Sequence, residues 1–397
     1  MIEKPNDRIL TREFMLLNLV VFLGFSNLAL LFQLYDYLHT LPIDPKAFGL
    51  LISVFSFTAL ILRPVISPFL HPGNARLWMA LGAAGSMIAL FAYSLARTFT
   101  PLLLVRILHG AGFVTLASAM MAMVVCFIPA QRSGQAFGLI SVSTLLPYAV
   151  LPPLLDPVLQ ALGTFDRVLG AGGLLMVLVF PCILGVKPPS LSSAESGAPG
   201  LSRSGLRENF QETRIPLLLA ITLLFFTGYT TIFFFLRGFG TRIGIANPGL
   251  FYTIATAAMI ALRLFVGALF DRMNKVRLLG VMLLLVAGGY GVLPFVRGAL
   301  PFFGLACLLG VGWGAAMPLM NALIFDASLP RFKGLNLNMA IWMIDGGFVL
   351  GPLAGNLVLA GAEDRYGILY GVCAALMVVA FGMLGGVKRP GSRVRGS

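Results

Sequence analysis

Arg63, Arg106, Arg263 and Asp345 each stand inside a long run of apolar residues, and His109 follows Arg106 by three positions. A charge surrounded by hydrocarbon is expensive, so it faces a cavity, finds a partner or leans on backbone carbonyls. A fixed cation in a cavity either binds an anionic group or favours the ionised form of a nearby carboxylate. Arg106, Asp36, Asp345 and His109 are therefore candidates for proton coupling, and Arg63 and Arg263 for substrate contact or for snorkelling to a helix end. The alternatives are specific too. Arg106 suits a structural role on backbone carbonyls. Asp36, beside Tyr35, Tyr37 and His39, suits a solvated helix end, and Asp345 a buried hydrogen bond or a pair with an Arg on another helix. His109 titrates near neutral pH when exposed, but it also suits a packing role on the face it shares with Arg106. Asp156 and Asp326 lie toward the ends of their own runs.

The runs that position these residues define the class of protein. Only 11% of the 397 residues are charged and 58% are apolar, against about 25% charged in a soluble domain. That excludes a soluble enzyme, and 32 Phe residues exclude a disordered chain. A spanning helix needs about 20 mostly apolar residues. Twelve such runs occur, numbered here as spans 1 to 12: 14–38, 47–71, 76–96, 99–127, 133–160, 167–187, 215–237, 248–270, 275–296, 299–325, 333–361 and 365–386. Continuous rather than alternating apolarity predicts helices, not a barrel. The first run is too long for a signal-peptide core and predicts a retained span. Asn18, Asn27, Gln33, Tyr229, Thr230, Thr231, Asn321, Asn338 and Trp342 are expected to face inward, because amides are costly against lipid. Of these, Asn27, Gln33, Tyr229, Asn321, Asn338 and Trp342 join Arg63 and Arg263 as substrate-binding candidates. Phe233, Phe234 and Phe235 are consecutive, cannot share one face, and read as lipid and packing contacts. The four cysteines, widely spaced in apolar runs, read as small buried side chains with no metal or disulfide pattern.

Residues 188–214, rich in Ser, Gly and Pro, cannot bury enough apolar surface to order themselves. They separate an N-terminal six-helix half, 1–187, from a C-terminal one, 215–397. Of the 28 Lys and Arg, 18 fall on the side of the termini and linker, seven on the other side and three within spans. The positive-inside rule makes the first side cytoplasmic. The net charge of +13 is thus largely a topology signal, and it predicts no nucleic-acid partner. The halves also match at an offset of about 200 residues, the kind of internal symmetry found in transporters. Leu62-Arg63 answers Leu262-Arg263, Asn74 answers Asn274, Gly110 and Gly112 answer Gly310 and Gly312, and Pro152 answers Pro352.

The stretch Gly267-Ala-Leu-Phe-Asp271-Arg272-Met-Asn-Lys275-Val-Arg277 resembles the cytoplasmic loop signature of the major facilitator superfamily. The resemblance implies a gate latch at Gly267, Asp271, Arg272 and Arg277. Its counterpart, Ser67 to Arg76, lacks the Gly and the Asp. Arg106-Ile-Leu-His109-Gly110-Ala-Gly112 resembles the superfamily motif whose Arg is linked to proton coupling. Gly347-Phe-Val-Leu-Gly351-Pro352-Leu-Ala-Gly355 resembles the Gly-Pro motif of its antiporters, although that motif is usually described in span 5. These glycines and Pro352 are expected to mediate helix packing. The run Pro129 to Gly138 is similar to bacterial drug-efflux or sugar-efflux members. The resemblance implies an all-α membrane protein of twelve transmembrane helices in two six-helix repeats. It also implies a secondary transporter working by alternating access as a monomer in the inner membrane. Proton-driven efflux of a small amphipathic or drug-like molecule is the leading expectation. Uptake of a small organic anion with protons is the alternative, favoured by the three arginines within spans. No phosphate-binding loop, metal-ligand cluster, cofactor motif or nucleophile–base pattern is present, so an enzyme is not expected.

Overall fold

The computed structural model describes residues 10–128, 133–187, 209, 214–270, 273–329, 332–360 and 364–387. The described residues form helices joined by short turns, with no strand among them. The spans are Arg12–Leu38, Pro45–Phe69, Ala75–Ala92, Phe99–Val124, Ser133–Leu162, Phe165–Gly185, Arg214–Arg242, Leu250–Phe270, Lys275–Phe295, Ala299–Ala327, Lys333–Leu359 and Tyr366–Val387. Eleven are long and apolar enough to cross a bilayer over their described residues, and the twelfth, span 8, is apolar over Leu250–Arg263. Helices are the required outcome, because each must satisfy its own backbone where water is absent.

Packing divides the chain into two units. One comprises Met1–Ser196 with Phe233–Thr256, the other Gly197–Ile232 with Ala257–Ser397. In the first unit span 3 packs on spans 4 and 6; in the second, span 9 packs on spans 10 and 12. The same pairings recur because the same small residues permit them. A Cβ on Gly112 would stand 2.5 Å from the backbone nitrogen of Ser86 in span 3, and one on Gly312 would meet Val286 in span 9. Without a hydrophobic drive inside the bilayer, close approach of this kind is what holds helices together.

Several local expectations change. Span 7 runs on to Arg242, so Arg237 is a helix residue and not a loop charge. Phe233, Phe234 and Phe235 are all buried, which removes the expected lipid contact. Cys182 and Cys373 are buried, whereas Cys126 and Cys307 are exposed. Asn209, within the stretch expected to stay unordered, is buried and hydrogen-bonded.

Candidate functional site

In the first unit, a 3-10 turn over Leu31–Gln33 interrupts span 1 and sets Gln33 and Asp36 toward its far end, away from Arg12. Arg237 donates from Nη1 to Asp36 Oδ2, and from Nη2 to Asp156 Oδ1 at 2.7 Å. Gln33 Nε2 donates to the same Asp156 oxygen at 2.6 Å. Spans 1, 5 and 7 therefore meet on one guanidinium. Arg237 is 18% exposed, Asp156 21% and Asp36 30%, so water reaches the cluster without dispersing it. Beside it, Phe233 packs edge-on against Phe32, Tyr148 and Tyr252, and Phe235 against Tyr35. Span 8 is clamped onto span 5 by hydrogen bonds from Thr253 to the Ala149 carbonyl and from Asn247 to the Pro153 carbonyl. Arg237 escaped the sequence reading because an Arg at the end of an apolar run looks like a loop residue. The continuation of that run through Phe239 was the available signal.

Arg106 occupies a different environment. It is 1% exposed, donating from Nε to the Leu51 carbonyl at 2.8 Å and from Nη2 to the Ile52 carbonyl at 2.6 Å. Nη1 reaches the Tyr93 hydroxyl at 3.2 Å, and the guanidinium lies 5.0 Å from the centre of the Phe55 ring. Among the described residues no ion pair includes it. His109, fully buried, sits between Phe55 and Tyr93 with Nδ1 3.2 Å from the Tyr93 hydroxyl. In this conformation the two residues join spans 2, 3 and 4. Asn27 likewise turns to packing, donating to the Gly24 carbonyl and to Met176 Sδ, each at 3.1 Å.

In the second unit, Tyr229 packs edge-on against Trp313 at 4.9 Å between ring centres, and Arg263 lies within electrostatic reach of Tyr229. Trp313 Nε1 donates to the Tyr290 hydroxyl at 2.9 Å. Trp313 was not singled out from sequence, where an indole in an apolar run has no distinguishing mark. Replacing Tyr290 with phenylalanine would remove this hydrogen bond. The expected result is a folded protein whose thermal unfolding in detergent shows about 1 kcal/mol less stability.

Arg63, Asp345 and Trp342 are half-buried. Asn321 and Asn338 are exposed on their helix surfaces. Asn336, two residues before Asn338, is one of two buried amides of span 11, the other being Asn356. Asn336 Nδ2 donates to Asn209 at 3.0 Å and to Ser328 at 2.8 Å, and Asn209 donates back at 2.7 Å.

Of the expected latch, Asp271 and Arg272 lie outside the described residues, as does the side-chain environment of Gly267. Arg277 is exposed, and its backbone N–H is capped by Asn274 Oδ1 at 3.0 Å. The ion pair found next to this loop is Lys275 to Asp326, at 2.8 Å, tying span 9 to span 10. The packing motif is closely built. Gly347, Gly351, Pro352 and Gly355 are all buried. Thr230 and Thr231 of span 7 donate to the carbonyls of Gly347 and Gly351 at 2.8 and 3.2 Å. A Cβ at Gly110 would collide with the Phe55 backbone. Among the described residues no group of three metal-ligating side chains forms.

Twelve apolar helices with repeated packing and polar clusters buried along them define a polytopic membrane transporter. The chain belongs to the Major Facilitator Superfamily, whose family model matches residues 14–352. It is a membrane-embedded secondary transporter of small molecules, not an enzyme. No curated protein matches the sequence. The crystal structure of nucleoside transporter NupG superposes with a TM-score of 0.75 at 16% identity, covering 96% of this chain and all of that one. The crystal structure of a point mutant of NupG gives 0.76 at 14% identity, covering 95% of this chain and all of that one. Likeness at this identity establishes the shared fold.

Proposed function

We propose that the protein is a proton-coupled antiporter that exports a small amphipathic molecule by alternating access. The six-helix halves 1–187 and 215–397 rock about a central site, and the termini and the linker 188–214 face the cytoplasm across the inner membrane. The observation that carries proton coupling is the cluster on Arg237, where two carboxylates share one cation. With both ionised it carries a net negative charge within a transmembrane bundle, and one proton neutralises it. Export is supported by the Gly347–Gly355 stretch. It resembles the antiporter motif and makes a backbone-to-backbone contact with span 7. Tyr229 beside Trp313 supplies an aromatic pair suited to an amphipathic substrate. Nucleosides, named for the NupG structures, belong in the panel of compounds to be tried. A second reading, uptake of a small organic anion together with protons, is favoured by Arg263 beside Tyr229.

Proteoliposomes with an imposed pH gradient separate these readings, whatever the orientation of the inserted protein. Protons run from the acidic to the alkaline side. An antiporter accumulates substrate on the acidic side, and a symporter on the alkaline side. Equal distribution at every gradient overturns proton coupling altogether.

A further inference from the structure

We propose that Asp36 is the proton acceptor of a gate latch, in which Arg237 holds the segment Phe233–Thr256 against the far ends of spans 1 and 5 until Asp36 is protonated. This inference rests on the proton-coupled reading above and assigns that reading a residue.

The two carboxylates on Arg237 are not equivalent. Asp156 Oδ1 accepts from both Arg237 and Gln33, whereas Asp36 accepts from Arg237 with no other hydrogen bond shown. Asp156 is therefore the more fully hydrogen-bonded of the two carboxylates. Asp36 is also the more exposed of the pair, 30% against 21%, so a proton arriving from water meets it first. Protonation of Asp36 leaves a neutral pair, Arg237 with Asp156, and removes one of the two ionic links that bind span 7. The charges acting on Arg237 are those of Asp36 and Asp156. Other titratable groups lie at these helix ends, among them Asp44 and Lys46 at the start of span 2 and the Arg97–Asp166 ion pair acting on Tyr37. Tyr35 and His39 of span 1 face one another and Phe48, and Tyr37 faces Phe165. Tyr148 of span 5 and Tyr252 of span 8 face Phe233. Arg242, the last residue of span 7, is exposed.

The latch and the aromatic contacts divide the work. The phenylalanine rings exclude water and carry no titratable group. The ionic links supply the pH dependence, and partly exposed pairs are weak enough to open and close on a transport cycle. Arg106 and His109 are buried elsewhere in the same unit and take no part in this latch.

The test uses full-length protein in proteoliposomes, free of its four native cysteines, with a reporter cysteine at Thr256. Thr256 is buried, about 9 Å along span 8 from Leu250. Labelling by a membrane-impermeant thiol reagent is measured, normalised to a free thiol at each pH. In the parent, labelling is expected to rise as pH falls from about 7 to about 4, toward the ordinary Asp value of about 3.9. Asp36→Asn is expected to raise labelling at the higher pH by about fivefold and to abolish the pH response. Asp36→Glu should keep the response, which confirms that the site is folded. Arg237→Gln should label rapidly at every pH. Labelling in Asp36→Asn that stays at the parent level, with its pH response intact, overturns the proposal. The readout needs no transport. A pH-responsive latch in a protein whose transport ignores pH would overturn the coupled reading alone. Proton-coupled transport with an unresponsive latch would overturn this assignment alone.

Discussion

Replacement of Arg106 with methionine is expected to destabilise the protein by about 2–3 kcal/mol and to leave the pH dependence of transport by the remaining folded protein unchanged. The magnitude depends on the state from which packing begins. In water, burying a guanidinium without a carboxylate would be a net cost. In a bilayer the reference is a separated helix, where the same guanidinium already faces hydrocarbon. Packing then supplies what the lipid withholds: two carbonyls of span 2, the Tyr93 hydroxyl and the face of Phe55. Methionine fills much of the volume but draws the helices together through none of these contacts. Lysine keeps the charge as a single point and cannot reach both carbonyls and the hydroxyl in one geometry, so Arg106→Lys should fall between the two. Denaturation in mixed micelles gives the stability, and transport at several pH values gives the coupling. Unchanged stability with lost pH dependence would return Arg106 to a coupling role.

The same contrast explains what the sequence could disclose. The spans were legible because a bilayer imposes a length and an apolarity that no other environment demands. Gly110, Gly112, Gly347 and Gly351 were legible as packing residues because close helix contacts in lipid require small side chains, and all four lie against a neighbouring backbone. The charges were legible as a short list, since each must have a partner, but the partner depends on which helix faces which. That information is tertiary. Asp36 was visible, while its partner Arg237, 201 residues away, looked like one loop charge among several. In helices apolar on every side, facing direction was equally hidden. Asn336 and Asn338 are two residues apart and so about 200° apart around the helix. Nothing in the surrounding pattern told which one would be buried. The matching offset of Arg63 and Arg263 marked a repeat, not a shared partner.

Gly347→Val is expected to cost about 3 kcal/mol, matching Arg106→Met in size but acting by another route. A Cβ there would stand 2.5 Å from Phe226 Cβ and 2.8 Å from the Phe226 backbone carbon. Carbon atoms rest at about 3.5–4.0 Å, so span 7 must retreat by roughly 1 Å. Backbone on both sides leaves no rotamer to absorb the clash. The retreat lengthens the bonds from Thr230 and Thr231 to the Gly347 and Gly351 carbonyls together, because both sit on the same pair of helices. Gly351→Val should behave alike, since its Cβ would collide with the Thr230 hydroxyl. Two other glycines separate crowding from the general effect of adding a methyl group. At Gly346 the nearest atom is Leu223 Cδ1 at 3.0 Å, the tip of a flexible side chain, and at Gly371 nothing lies within 4 Å. Gly346→Ala should therefore cost less than about 1 kcal/mol, and Gly371→Ala should stay within about 0.5 kcal/mol of the parent. A uniform loss across all four variants would show that span 7 does not rest on the Gly347–Gly355 face, and would remove the structural support for antiport along with it.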